Sequence, residues 1–251
     1  MGSVNPDVTV PTVSQADEDG KAIANGVNSQ VEFTEAEVTI VEGVEVSSSI
    51  LLPGSGKELS LIGAGVRGVR LPHGVELKVT VLGIYTDLEV VNHLAKYNGL
   101  SGEELLVDDQ FLRAFLEAPV DKLARVTMLL PLTGEDYAGK SGETTMMSLK
   151  EVNKWGEAEE LALKEYRDFF KQKNCPPGST LFFSVTKSGL GISQSFDSSI
   201  PTKVEYVVKN VAFAAGLVGT MISIKGVSPA TRAAFGENMS KLLKQVRSSS
   251  P

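Results

Sequence analysis

The sequence predicts an α+β domain whose sheet is largely antiparallel. Runs rich in β-branched residues dominate the first half of the chain, apolar residues at helical spacing dominate the second half, and the two kinds of segment do not alternate regularly. The chain has 251 residues, 42% hydrophobic and 22% charged, which is enough apolar material for a core. No repeat or linker is visible, so we expect one domain over 31–251 after a disordered polar tail over 1–30.

The predicted strands begin with a hairpin. Residues 35–42 and 44–52 are short β-branched runs separated by Gly43, and 58–62 resembles a third strand that ends in glycines. In the longest candidate, 75–86, apolar and polar residues alternate at its start, which indicates a sheet with one buried face. Later strands are predicted at 125–130, 179–186 and 191–196, the last two as a second hairpin.

The first helix is predicted from its N-terminal signal. Ser101 is followed three residues later by Glu104, the pattern of a capping box. Leu105, Phe111 and Phe115 then recur at helical spacing. A helical segment therefore begins close to residue 102.

Further helices are predicted towards the C-terminus. Residues 142–174 read as two helices with a break near Gly156, and 204–224 as an apolar helix. Ser228 before Pro229 is the typical start of a last helix running to about residue 246. The acidic stretch 157–165 is interpreted as a solvated helix face, with Leu161, Leu163 and Tyr166 on the buried side.

Charge and composition exclude several classes of function. The net charge of −7 argues against binding a phosphate backbone, because nucleic-acid binders present a basic face. No apolar run reaches the roughly 18–20 residues that span a bilayer. The first thirty residues lack the apolar core of a secretion signal and the arginine-rich character of a transit peptide, so we expect a cytoplasmic protein.

General motifs do not identify an enzyme. Residues 63–68 match the dinucleotide pattern G-x-G-x-x-G, but no helix is predicted after them, as phosphate binding requires. We interpret the segment as a glycine-rich turn between two strands that presents Arg67. The two histidines, His73 and His93, do not have metal-ligand spacing, and Cys175 lies in a turn where a structural role is favoured.

The sequence resembles the plant chalcone isomerase family from about residue 31 to residue 246. No single motif is decisive, but their order and spacing together are specific. The matching segments are GAGVRG at 63–68, VTVLGIY at 79–85, VTMLLPLTG at 126–134, CPPG at 175–178, SIP at 199–201, Thr220-Met221 and GVSP at 226–229.

The resemblance implies an open-faced β-sandwich, a large antiparallel sheet with helices packed on one face and a substrate cleft between them. It also implies cyclisation of a chalcone to a (2S)-flavanone without a metal or organic cofactor. The catalytic arginine, threonine and tyrosine of the family fall on Arg67, Thr80 and Tyr137. The implied substrate-binding residues are Gly68, Leu82, Leu132, Lys140, Thr144, Thr220 and Met221.

One position departs from the family pattern, since Thr144 stands where the family has an asparagine that contacts a phenolic hydroxyl. Two proton donors, water and Arg67, stay open for the reaction. The alternative function is that of a non-catalytic family member, which binds chalcones or chalcone synthase and improves pathway fidelity. Family members of that kind generally lack the arginine at the position of Arg67, so the sequence favours the enzyme.

Overall fold

The computed structural model describes residues 37–247, and the tail predicted over 1–30 lies outside them. A seven-stranded sheet in the order β11-β10-β9-β6-β5-β4-β3 is its central element, and all neighbouring strands run antiparallel. Two small two-stranded sheets, β1-β2 and β7-β8, complete it. The strands are β1 (Val38–Val41), β2 (Val44–Ser47), β3 (Ser49–Leu51), β4 (Glu58–Arg70), β5 (Glu76–Thr86), β6 (Lys122–Met128), β7 (Leu132–Thr133), β8 (Asn174–Cys175), β9 (Thr180–Thr186), β10 (Gly189–Ser195) and β11 (Tyr206–Val208).

Helices cover one face of the large sheet, where Ile84 and Phe183 of the sheet join Phe115, Tyr166 and Phe213 of the helices in one buried cluster. This arrangement confirms the predicted α+β class and the antiparallel sheet with helices on one side. The helices are α1 (Val90–His93), α2 (Gly102–Val107), α3 (Asp109–Glu117), α4 (Gly134–Glu151), α5 (Glu157–Phe170), α6 (Val211–Ile222) and α7 (Pro229–Arg247).

The opposite face of the sheet is partly covered by the β1-β2 hairpin. Val46 of this hairpin belongs to a second buried cluster with Val81, Tyr85 and Phe182. The Tyr85 hydroxyl donates a hydrogen bond of 3.1 Å to the carbonyl oxygen of Ser47. The core therefore lies on both sides of the central strands, and the larger part is on the helical side.

The predicted hairpin around Gly43 is confirmed, because Val41 pairs with Val44 across it and Gly43 has a φ of 78°, which favours glycine. The run 44–52 was predicted as a single strand, and this is wrong. It is divided into β2, which pairs with β1, and β3, which pairs with β4 at the edge of the large sheet.

The glycine-rich segment 63–68 is not a turn, as the sequence had suggested, but lies inside the long strand β4. Its glycines permit a close approach of helix α7. A Cβ atom on Gly63 would lie 2.9 Å from the backbone oxygen of Thr231, and one on Gly65 would lie 2.5 Å from the Thr231 nitrogen. The turn comes later, at Pro72–Gly74. Because β4 continues to Arg70, the glycines do not open an α-helix, whereas the dinucleotide motif requires one.

The alternation predicted for β5 is also wrong. Residues 79–86 are all buried, because helices lie on one side of the strand and the β1-β2 hairpin on the other. Val75 and Leu77, expected in the core, are 57% and 39% exposed. They belong to the end of the β4-β5 hairpin, where Val69 and Leu71 are exposed as well.

The capping box of α2 is confirmed in both directions, with hydrogen bonds of 3.2 Å from the Glu104 amide to Ser101 Oγ and 2.7 Å from the Ser101 amide to Glu104 Oε2. The N-terminus of α4 was predicted too late, because Thr133 caps the helix by accepting from the Asp136 amide at 3.0 Å. The break between α4 and α5 lies where Gly156 predicted it.

The helix predicted over 204–224 begins only at Val211, because Asn210 caps it and Tyr206–Val208 form the edge strand β11. The start of α7 at Pro229 is confirmed.

In α5, Tyr166 is buried as predicted, but Leu161 is 57% exposed and lies on the solvent face. Among the described helices, none combines the length and the apolar character that crossing a lipid bilayer requires.

The contact between β4 and α7 yields a prediction for stability. Replacement Gly65→Ala places a methyl group against backbone atoms of α7, and we expect the free energy of unfolding to fall by at least about 2 kcal/mol. Gly139→Ala in α4 is the matched control, since its Cβ would meet nothing within 4 Å. There the alanine should raise the free energy of unfolding by up to about 1 kcal/mol. Urea denaturation of both variants measures the difference, and equal stabilities would contradict the close approach.

Candidate active site

A cavity of about 370 Å³ lies between the sheet and helices α4 and α6. This volume is typical of sites for small molecules, roughly 300–1,000 Å³. Most of its lining is apolar, with contributions from β4, β5, β6 and both helices. Its polar lining consists of Arg67, Thr80, Asp136, Tyr137, Lys140, Ser141, Thr144 and Thr220.

Arg67 and Thr80 reach the cavity from neighbouring strands. They are direct partners in the β4-β5 register, and an irregularity follows between Arg67 and Gly68. Among residues 37–247, no carboxylate lies within 4.0 Å of the Arg67 guanidinium. The side chain is half-buried in a largely apolar lining, so its charge is available to an anionic group in the cavity.

Thr80 supplies a buried polar atom that lacks a protein partner. The residue is 1% exposed, and its Oγ1 makes no hydrogen bond within the described part of the chain. Buried hydroxyls are nearly always hydrogen-bonded to protein or to water. Because Thr80 lines the cavity, its hydroxyl is suited to a ligand oxygen or a bound water molecule.

Tyr137 lies in the first turn of α4, below the Thr133 cap, and is 6% exposed. Its ring lies nearly parallel to that of Phe183, with 6.1 Å between the centroids. Burial raises the pKa of Tyr137 well above its ordinary value, Tyr166 adds to the shift, and the charge of Arg67 opposes it. The hydroxyl therefore stays protonated near neutral pH and can donate a hydrogen bond.

Thr144 and Lys140, the other polar residues predicted on α4, offer the cavity fewer hydrogen-bonding groups than Arg67, Thr80 and Tyr137 do. Thr144 Oγ1 donates its proton to the Lys140 carbonyl at 2.9 Å, within its own helix. The Lys140 side chain is 81% exposed, so its ammonium group lies at the solvent side of the cavity lining. Thr144 thus offers the cavity only the acceptor sites of its hydroxyl.

The remaining predicted residues divide into two groups. Leu82, Leu132, Thr220 and Met221 line the cavity, and Thr220 Oγ1 donates to the Leu217 carbonyl at 2.7 Å. Gly68, which the family resemblance placed at the substrate, is not among the lining residues. A Cβ atom on Gly68 would meet the flexible Glu76 side chain instead.

Sequence reasoning missed two polar residues of the lining, Asp136 and Ser141. With Tyr137 as the reference, Ser141 and Thr144 follow four and seven residues later, the spacing of one helix face. That signal was hidden because α4 had been predicted to begin at Gly142. Recognising Thr133 as an N-cap would have revealed it.

Neither His73 nor His93 lines the cavity. Within residues 37–247 there is no group of three or more His, Cys, Asp or Glu side chains placed to hold a metal ion. Cys175 is fully buried, and burial raises the pKa of its thiol to about 11. The thiol is therefore protonated at neutral pH and unsuited to nucleophilic attack, in agreement with a structural role.

Comparisons with known proteins agree on one family. A family model described as chalcone-flavanone isomerase matches residues 41–242. The chain is 37% identical to a chalcone–flavanone isomerase of Ipomoea batatas, over 76% of this chain and 79% of the relative. It is 36% identical to one of Allium cepa, over 82% of this chain and 92% of the relative.

A solved structure shares the fold at lower sequence identity. The fatty-acid binding protein AtFAP1 of Arabidopsis thaliana superposes with a TM-score of 0.61 at 20% identity, over 78% of this chain and 98% of that one. The fold, the family match and the two relatives lead to one conclusion: the chain belongs to the chalcone-flavanone isomerase family.

Proposed function

We propose that this chain is a catalytic chalcone isomerase, which cyclises a 2′-hydroxychalcone to a (2S)-flavanone. The observation that carries the proposal is the pair Arg67 and Thr80 in a largely apolar cavity. Within residues 37–247, Arg67 has no carboxylate partner and the Thr80 hydroxyl directly opposite it has no hydrogen-bond partner. Such a site favours a reaction that develops negative charge on a largely apolar molecule. Family membership supports chalcones and flavanones as the ligands.

In this reaction the 2′-hydroxyl of the chalcone first gives its proton to solvent, and the resulting phenolate oxygen attacks the β-carbon of its own enone and forms the new C–O bond. The π electrons move through the α-carbon onto the carbonyl oxygen and give an enolate, which then takes up a proton at the α-carbon. Atoms balance without a leaving group, so the proposal requires no side-chain nucleophile. The protein must hold the folded substrate near its attack geometry and stabilise the developing anion.

The lining residues suit these two tasks. The apolar walls restrict the substrate, and an orientation effect of this kind lowers a barrier by up to roughly 7–11 kcal/mol. We assign to Arg67 the stabilisation of the phenolate and the enolate, and to Thr80 and Tyr137 a hydrogen bond to the carbonyl oxygen, directly or through water. A preorganised donor at an oxyanion contributes about 3–4 kcal/mol.

The alternative is a non-catalytic family member that binds a chalcone or chalcone synthase. It would need the cavity but not a cation facing it directly beside the Thr80 hydroxyl, so the presence of Arg67 favours the enzyme. AtFAP1 is by its name a fatty-acid binding protein, and at 20% identity its likeness concerns the fold. A fatty acid is therefore the competing ligand class for this cavity. Turnover of a chalcone in the activity assay would favour the chalcone over the fatty acid.

The proposal predicts rapid, stereoselective turnover that depends on Arg67. The protein should bleach the visible absorbance of naringenin chalcone far faster than buffer and give a single flavanone enantiomer on a chiral column. Arg67→Ala should lower kcat/KM at least about a hundredfold, the loss typical of an oxyanion donor. Arg70→Ala is the matched control, because Arg70 is exposed on the same strand outside the cavity lining.

Two outcomes of this assay contradict the proposal. Racemic flavanone formed at the buffer rate would support the non-catalytic alternative. Equal losses for Arg67→Ala and Arg70→Ala would show that general surface charge, and not the cation in the cavity, accelerates the reaction. Circular dichroism and the melting temperature of each variant separate a lost fold from a lost function.

Tyr137→Phe gives a prediction about pH. Burial raises the pKa of Tyr137 well above its ordinary value, so its protonated form persists from pH 6 to pH 9. We expect the variant to lower kcat by about tenfold, and by the same factor at both ends of this range. Steady-state rates of both proteins across the range measure the ratio. A ratio that shrinks as pH rises would mean that the hydroxyl ionises below pH 9 and is not the donor.

Thr144→Asn tests the departure from the family pattern. The hydroxyl of Thr144 gives its only proton to the Lys140 carbonyl, whereas an asparagine amide is longer and has two donor hydrogens. We expect KM for a hydroxylated chalcone to fall severalfold, roughly the value of one added hydrogen bond, with kcat changed less than about twofold. Initial rates over a range of substrate concentrations separate the two constants. A change in kcat alone would place residue 144 in the chemical step.

A further inference from the structure

Ser141 and Asp136 are the two polar residues of the cavity lining to which neither the motifs nor the family pattern assigned a role. The contacts of Ser141 indicate what it can bind. It lies on α4 between Tyr137 and Thr144, one helical turn from each, and it lines the cavity. A serine hydroxyl has one proton to donate and two sites that accept. Whichever of these three hydrogen-bonding sites has no protein partner is the one that a ligand can use.

The proton of Ser141 is already used, because its Oγ donates to the Tyr137 carbonyl at 2.7 Å. The hydroxyl of Tyr166 lies 2.9 Å from the same Oγ. Burial raises the pKa of Tyr166, against the opposing effect of the hydrogen bond with Ser141, so the tyrosine keeps its proton. With the serine proton already committed, Tyr166 must donate to Ser141. Within the part of the chain that the structure describes, this leaves one acceptor site on Ser141.

We propose that Ser141 is a specificity-determining residue whose hydroxyl accepts a hydrogen bond from a free phenolic hydroxyl of the ligand. The ligand class rests on the proposed function; the direction of the hydrogen bond rests on the contacts of Ser141. A phenol has the proton that this site requires. A methoxy group in the same place has none, and a hydrogen atom leaves the serine oxygen unpaired.

The hydroxyls of Thr144 and Thr220 act towards the cavity as Ser141 does, as hydrogen-bond acceptors. Thr144 donates to Lys140 and Thr220 donates to Leu217, so both present only acceptor sites, like Ser141. The hydroxyls of Ser141, Thr144 and Thr220 are therefore complementary to donors on the ligand, whereas the Tyr137 hydroxyl keeps its proton and, like Arg67, is complementary to acceptors. Arg67 on the sheet side is complementary to acceptors such as a carbonyl or phenolate oxygen. This difference in polarity sets the direction in which an unsymmetrical ligand enters.

Tyr166 acts as a positioning residue in this arrangement. It is fully buried, and its ring packs against Phe170 and Phe213 with centroid distances of 5.1 Å and 5.5 Å. The packing fixes its hydroxyl, which in turn fixes the remaining acceptor site of Ser141. The specificity of the serine thus depends on a tyrosine that is not among the residues lining the cavity.

Equilibrium binding of flavanones tests the proposal independently of turnover. Naringenin and a series of analogues, each with one hydroxyl replaced by methoxy or by hydrogen, are titrated by calorimetry into the wild-type protein and Ser141→Ala. We expect the wild type to bind naringenin about tenfold more tightly than the analogues altered at one ring position. Ser141→Ala should lose this preference at that position and keep the preferences at the others.

Two further variants serve as controls. Ser141→Thr retains a hydroxyl on the helix and should retain the preference. Ser148→Ala removes a serine from the same helix, two turns on and outside the cavity lining, and should leave every affinity unchanged. Melting temperatures show whether the loss of the Tyr166 partner in Ser141→Ala has unfolded the protein. In that case the wild type decides, because equal affinities for naringenin and all its analogues would contradict the proposal.

The outcomes distinguish this inference from the proposed function. Naringenin bound by the wild type with identical hydroxyl preferences in Ser141→Ala would overturn the role of Ser141, whatever the turnover assay gives. A Ser141-dependent preference without turnover would support the inference and contradict catalysis. A wild type that binds none of these flavanones would overturn the ligand class, and with it both proposals.

Discussion

The close contact between helix α7 and strand β4 is the constraint on which the site depends. Gly63 and Gly65 allow the helix backbone to lie against the strand, and the hydroxyl of Ser228 donates to the Val66 carbonyl at 2.7 Å. These contacts fix β4 immediately before Arg67. The strand can then hold the Arg67 cation opposite Thr80 without an ion pair to any carboxylate of residues 37–247, and the charge stays available to a ligand.

The site combines two kinds of order. Its apolar lining is built from the core itself, so residues such as Leu82 belong at once to the hydrophobic cluster and to the cavity. Its polar groups are restrained locally, either by helix carbonyls, as for Ser141, or by burial, as for Tyr137. Little rearrangement is needed for such groups to meet a ligand, and preorganisation of this kind is what makes hydrogen bonds effective at a developing charge.

Much of the fold could be predicted from the sequence, because helix caps are local signals. Ser101 and Glu104, and the start of α7 at Pro229, are of this kind. The glycines at 63–68 were misread as a turn because glycine serves turns and close contacts alike, and only α7 distinguishes the two. The exposure of Val75 likewise depends on where the helical layer ends, which local sequence does not encode.

The candidate site was predictable in part. The types and order of Arg67, Thr80 and Tyr137 were visible through the family pattern, and the structure brings all three to one cavity. The polarity of the hydroxyls was not visible, because it depends on which carbonyl receives each proton. Position 144 illustrates this: the residue was known from the sequence, but its bond to Lys140 appears only in three dimensions.

The exposed end of the β4-β5 hairpin has a thermodynamic consequence. Val69 and Leu77 are each 39% exposed, yet both line the cavity that leads inwards to Thr80. A molecule seated against Thr80 would remove these two side chains from water in addition to its own apolar surface. Association would then carry a negative heat-capacity change, so that its enthalpy becomes more favourable as the temperature rises.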